Sequence, residues 1–224
     1  MLEIVIALFP GVTHLDFTGP HQVLSRTPGA RVTVASLGGR DIEAEGLTFT
    51  RLADLAAIER CDVLLVPGGV TATEAALDEA FVAEIRRLGR QARYLTSVCT
   101  GSLVLGAAGF LKGKRAATHW AWRELLPLFG ATVDEGRVVR DGNLITGGGV
   151  TAGLDFAFTL LAELAGETAA QATQLGLEYA PDPPFDTGRP ELAPPEIVAA
   201  YNERMAPIAD KRRAQAEQAA ARLG

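Results

Sequence analysis

Cysteine, histidine and basic charge are all scarce in this sequence of 224 residues. The two cysteines, Cys61 and Cys99, lie far apart with no CxxC spacing. That excludes a disulfide framework and a cysteine zinc site, and it points to a reducing, cytoplasmic setting. His14 and His21 share no ligand spacing with each other or with an acid, so no metal centre is expected. Twenty-one basic residues against 27 acidic ones leave a formal charge of −6. With no long basic block, nucleic-acid backbone and anionic membrane are excluded as partners. A membrane-length apolar run is missing too. The longest uncharged stretch, Tyr94 to Leu111, is broken by Thr96, Ser97, Thr100, Ser102 and three glycines, and reads as a buried strand turning into a helix. Glu3 stands where a signal peptide needs positive charge. Gly147-Gly148-Gly149 lacks both the lysine of a phosphate loop and the GxGxxG pattern, so no nucleotide cofactor is expected.

What the chain does contain is a succession of short β-branched runs separated by helical periodicity. The runs are Glu3–Phe9, Arg31–Ser36, Cys61–Val66 and Tyr94–Val98. A helix is expected from Gly19-Pro20, since proline suits a first helical turn. Another carries Leu77, Phe81, Ile85 and Leu88 at helical spacing behind Glu74, Asp78 and Glu79. Strands alternating with amphipathic helices define an α/β class: a mostly parallel sheet with helices on both faces. Val138 to Ile145 reads as a hairpin through Asp141-Gly142-Asn143, followed by a helix with Leu154, Ala157, Phe158, Leu161 and Leu164 on one face. Six of the twelve prolines fall between Pro181 and Pro195, which predicts an extended surface segment. The last helix carries a stripe of Ile197, Tyr201, Met205 and Ile208, which Pro207 should bend or interrupt. The length suits one generous domain, or at most one and a half.

Cys99 is the strongest chemical signal. The strand ending at Val98 runs almost without a loop into the helix opened by Thr100-Gly101-Ser102. A residue at such an elbow projects above the carboxyl edge of the sheet, where open α/β folds bind ligands. Partial positive charge at the helix start should lower the thiol pKa, and Gly101 permits a tight bend. Cys61 reads as a buried structural thiol. Asp16, just beyond the first strand, either shares a proton with Cys99 or caps the helix starting at Gly19 or Pro20. The amides of Gly68 and Gly69, with that of Thr100, could form an oxyanion hole, or the glycines could make a plain turn. His119 either partners the thiol or is a packed, capping residue.

Together these residues resemble the ThiJ/PfpI superfamily, flavodoxin-like proteins of the class I glutamine-amidotransferase type. The resemblance runs from Ile4 to about Leu177. It rests on Asp16, Pro67-Gly68-Gly69, the nucleophile elbow Ser97-Val98-Cys99-Thr100-Gly101-Ser102, and His119. Leu15–Pro20, Val98–Ser102, Thr118-His119-Trp120 and Leu177–Pro181 are most similar to the isonitrile hydratase branch. The resemblance implies a lyase that hydrates an isocyanide with Cys99 as nucleophile, Asp16 as acid/base and Thr100 as their neighbour, without cofactor or metal. It implies an α/β domain over 1–180, an appended segment over 181–224, and a homodimer. Two other uses of the thiol stay open: a non-catalytic redox sensor or protective protein, and a glyoxalase or deglycase acting on small dicarbonyls.

Overall fold

The computed structural model describes residues 1–223. In chain order the strands are β1 (Leu2–Ala7), β2 (Ala30–Ser36), β3 (Ile42–Ala44), β4 (Leu47–Phe49), β5 (Ala53–Asp54), β6 (Val63–Val66), β7 (Tyr94–Val98), β8 (Arg115–Ala116), β9 (Thr132–Val133), β10 (Val138–Asp141) and β11 (Leu144–Gly147). The helices are α1 (Leu15–Leu24), α2 (Ala72–Ala75), α3 (Glu79–Gly89), α4 (Gly101–Ala107), α5 (Ala152–Ala165), α6 (Glu167–Gly176) and α7 (Pro195–Ala221). Trp120–Phe129 forms a 3₁₀ stretch.

Seven strands build one sheet in the order β10-β11-β7-β6-β1-β2-β5, parallel except where β10 joins β11. The central strands are continuous apolar runs because both faces are covered by helices. Ile4 to Ile6 and all of β6 are buried. β7 occupies the span its sequence pattern predicts, whereas β1 stops two residues early and β6 starts two residues late. From β1 the chain first adds β2 on one side and then returns to lay β6 on the other. Strand order therefore reverses at the crevice between β1 and β6, the usual ligand position in open α/β sheets.

Three elements differ from the sequence reading. First, α1 starts at Leu15, so Asp16 sits in its first turn and does not cap a helix beginning at Gly19. The early start follows from a pinned loop: Val12 bridges Gly69, and the Thr13 N–H donates to the Gly68 carbonyl at 2.9 Å. Second, Ala157 and Leu161 are buried on α5 as expected, but Phe156 and Leu160 join them there, while Leu154, Phe158 and Leu164 are only half-buried. This helix is wedged between the sheet and its neighbours α1 and α6, so its apolar surface is wider than one stripe. Phe158 is spent on the tail, stacking on Tyr179 at 5.2 Å. Third, α7 runs unbroken through Pro207. Pro207 is exposed, so water can reach the carbonyl its missing N–H leaves unpaired. Residues between Pro181 and Pro194 are irregular and mostly exposed. The second half of α7 docks through Arg212, Ala216 and Ala219, all buried. No helix among the described residues is long and apolar enough to cross a membrane.

Candidate active site

The site is assembled from loops at the carboxyl ends of three adjacent strands. Asp16 comes from the segment after β1, Gly68 and Gly69 follow β6, and Cys99 follows β7. At Cys99 the backbone leaves the strand with φ of +57°, the left-handed region that a non-glycine residue rarely occupies. Such strain costs about 1–3 kcal/mol and persists only where surroundings impose it. Here they do. The Cys99 N–H donates to the carbonyls of Gly148 (2.8 Å) and Gly147 (3.1 Å). Its carbonyl accepts from the hydroxyls of Thr118 (3.0 Å) and Ser102 (3.2 Å). A side chain at Gly101 would meet the Pro67 carbonyl oxygen at 2.7 Å, so only glycine lets α4 start this close to β6.

The Asp16 carboxyl is fully buried and accepts the Gly68 N–H at 2.9 Å through Oδ2. Its Oδ1 has no partner of ordinary hydrogen-bond geometry, and the Cys99 thiol lies beside the carboxyl group. Burial pushes the Asp16 pKa up to about 7, against the lowering effects of the Gly68 N–H and the thiol. Cys99 is likewise pushed up, first by burial and then by the nearby Asp16 charge. The amides of Val150 and Thr100 and the Thr100 hydroxyl act on the sulfur in the opposite sense. The expected depressed thiol is thus corrected: desolvation outweighs a seven-residue helix start. Above about pH 7 the pair therefore carries one proton and one negative charge, the charge residing mainly on Asp16 and the proton on Cys99.

Gly68 and Gly69 do not form the expected oxyanion hole, because both amides are already used. Gly68 serves Asp16, and the Gly69 N–H donates to Thr100 Oγ1 at 3.0 Å. The amides that face the sulfur are those of Thr100 and Val150. Val150 was not singled out in the sequence, although its glycine-rich neighbours were. The signal would have been the pairing of β11 with β7, which brings the following loop to the elbow. His119 makes no bond to Cys99. Its Nδ1 accepts the Ala121 N–H, and its ring stacks near Trp120 and Tyr201. Burial and the repulsion of Arg212 and Arg123 bring its pKa down to about 4, so it is neutral at pH 7. It borders a cleft of about 220 Å³ that Trp120, Gly149 and Val150 also line. A cavity of about 530 Å³ beside Phe9, Ile42 and Phe81 touches neither Asp16 nor Cys99. Cys61 is buried, with its thiol pushed up to about 12, as suits a structural residue.

A parallel sheet with a strained cysteine at a strand-to-helix bend and a protonatable acid beside it defines a class of α/β proteins built around one thiol. The DJ-1/PfpI family pattern matches residues 2–163, and the chain belongs to that family. It is similar to the isonitrile hydratase of Pseudomonas putida, 50% identical over 226 aligned residues that cover 99% of this chain and 98% of that enzyme. The crystal structure of a ThiJ/PfpI family protein from Pseudomonas syringae superposes with a TM-score of 0.93 at 41% identity, covering 96% of this chain and 90% of that one. Drosophila melanogaster DJ-1beta superposes with a TM-score of 0.73 at 26% identity, covering 80% and 99%.

Proposed function

We propose that this protein is an isonitrile hydratase, adding water to an isocyanide, R–N≡C, to release an N-substituted formamide. The observation that carries the reading is the placement of the fully buried Asp16 carboxyl beside the thiol of Cys99 at its strained elbow. The likeness to the Pseudomonas putida enzyme over almost the whole chain supports the substrate class.

An isocyanide carbon bears a lone pair and is only weakly electrophilic until protonated. Hydration therefore needs an acid aimed at carbon next to a nucleophile. With Asp16 the stronger acid of the two, the resting pair holds its proton on sulfur and its charge on the carboxylate; the reactive arrangement is the minor tautomer, in which that proton has moved to Asp16 and the charge to Cys99. Asp16 gives its proton to the isocyanide carbon as the Cys99 sulfur forms a bond to that carbon, leaving a thioimidate, R–N=CH–S–Cys99, and an Asp16 carboxylate. The carboxylate draws a proton from water and passes it to nitrogen while hydroxide adds to carbon. Asp16 then takes the hydroxyl proton, the C=O bond forms, and the C–S bond breaks with its electron pair returning to sulfur. Formamide, Cys99 thiolate and protonated Asp16 result. The amides of Thr100 and Val150 steady the sulfur whenever it carries charge.

The same reading treats residues 1–180 as the catalytic domain, 181–224 as its appended segment, and the working form as a cytoplasmic homodimer whose apolar contact includes Ile197 and Ile208, both exposed in one chain. The test is turnover of a panel of isocyanides by purified protein, with product identified by NMR. Formamide from the wild type and none from Cys99→Ala is the expected result. Undiminished formamide from Cys99→Ala, or lactate from methylglyoxal with no formamide at all, would overturn it.

A further inference from the structure

Arg212 is the most unusual charged side chain in the molecule. It is 7% exposed, and it stands on α7, in the segment outside the span matched by the family pattern. The ion pairs of α7 and its C-cap among the described residues are made by Lys211, Arg213 and Arg222, and Arg212 takes part in none of them. Its guanidinium lies over the Trp122 ring at 4.2 Å. Nη2 donates to the carbonyls of Val70 (2.8 Å) and Gly69 (3.4 Å). The helix is fixed there on both sides, by Lys211 on Glu74 and by Thr73 on Gln215, each at 2.7 Å.

A buried cation with no carboxylate in contact is costly unless a negative charge stands close by. The groups whose negative charge acts on the guanidinium are Cys99 first and then Tyr201 and Glu74, and of these only Cys99 belongs to the reacting pair. Hydrogen bonding points the same way. Thr100 has one hydroxyl proton, which it donates to the Gly69 carbonyl at 3.2 Å, yet its hydroxyl also borders the sulfur. It cannot serve both acceptors together. The Arg212 bond to that carbonyl keeps Gly69 satisfied when the Thr100 proton turns to sulfur. We propose that Arg212 is a positioning residue for the Cys99 thiolate, freeing the Thr100 hydroxyl to bond the sulfur and supplying the opposing charge from the C-terminal helix. The inference rests on Cys99 being the nucleophile. It makes α7 part of the catalytic apparatus.

The other ionisable groups facing this region are Asp16 on α1, Glu74 on α2, His119 before the 3₁₀ stretch, and Tyr201 on α7. The experiment is therefore specific to sulfur: the rate of Cys99 carbamidomethylation by iodoacetamide against pH, resolved from Cys61 by peptide mass spectrometry. Arg212→Met and Arg212→Gln should move the rising limb to higher pH, slowing alkylation about tenfold at a fixed pH on that limb, and Arg212→Lys should restore part of the loss. Because Gln can still donate to Val70, it decides the matter if the Met variant fails to fold. Curves that overlay the wild type, with only a lower melting temperature, would overturn the proposal and leave the nucleophile reading standing. A wild-type Cys99 that never alkylates would overturn both.

Discussion

Replacing Asp16 by asparagine should stabilise the fold at neutral pH while disabling it as a catalyst. The carboxyl is fully buried, and its pKa stands at about 7 in the fold. In the unfolded chain it ionises near 4. Below about pH 4 it is protonated in both states, and its stability contribution is fully present. As pH rises toward 7 the unfolded state loses the proton and the folded state keeps it, so stability falls by about 1.4 kcal/mol per pH unit. From about 4 to about 7 the loss amounts to about 4 kcal/mol, and it levels off above the folded pKa. Asparagine has the same shape, can accept the Gly68 N–H through its amide oxygen, and carries no charge. Asp16→Asn should therefore match the wild type near pH 4 and exceed it by up to about 4 kcal/mol above pH 7, about 8–16 °C in Tm for a chain of this size. Urea unfolding followed by the fluorescence of Trp120 and Trp122 at a series of pH values measures the gap directly. Turnover should fall by at least about 10²-fold, since proton delivery to carbon is lost. A gap that stays constant between pH 4 and 8 would refute the claim that Asp16 is held protonated by burial.

Two further substitutions probe the loops around the pair. Thr100→Val removes the acceptor of the Gly69 N–H, a buried bond of 3.0 Å, and should cost about 1–3 kcal/mol in urea unfolding; it should also slow Cys99 alkylation, and an unchanged alkylation rate would show that the hydroxyl does not act on sulfur. Gly101→Ala drives a methyl group onto backbone atoms of Pro67, so a loss of about 2 kcal/mol or more is expected, and an unaltered thermal melt would show that the elbow has more room than its geometry implies.

Much of the site was legible in the sequence because its parts are local signals at strand ends. The β7 boundaries, the bend at Cys99 and the need for Gly101 all follow from a buried apolar run meeting a glycine-marked helix start. What escaped was decided by contacts remote in sequence. Arg212 and Val70 are 142 positions apart, and no periodicity in α7 marks one arginine as buried. Tyr201, read as part of an apolar stripe, packs at a tilt against Trp120, their ring centroids 4.8 Å apart. The direction of the Cys99 shift was missed for a different reason. A helix start and burial act oppositely on a thiol, and only the folded environment reveals how completely the sulfur is dehydrated.

The four strong bonds that hold position 99 in its awkward conformation run through main-chain atoms of that residue, while its sulfur is left to face Asp16, Thr100 and Val150. The molecule thus separates the tool from the holder. A different side chain could be mounted in the same socket without dismantling it, so alanine or serine at this point should make faithful inert controls. By the same logic the reaction could be retuned, by design or by descent, through one codon while the architecture stays as it is.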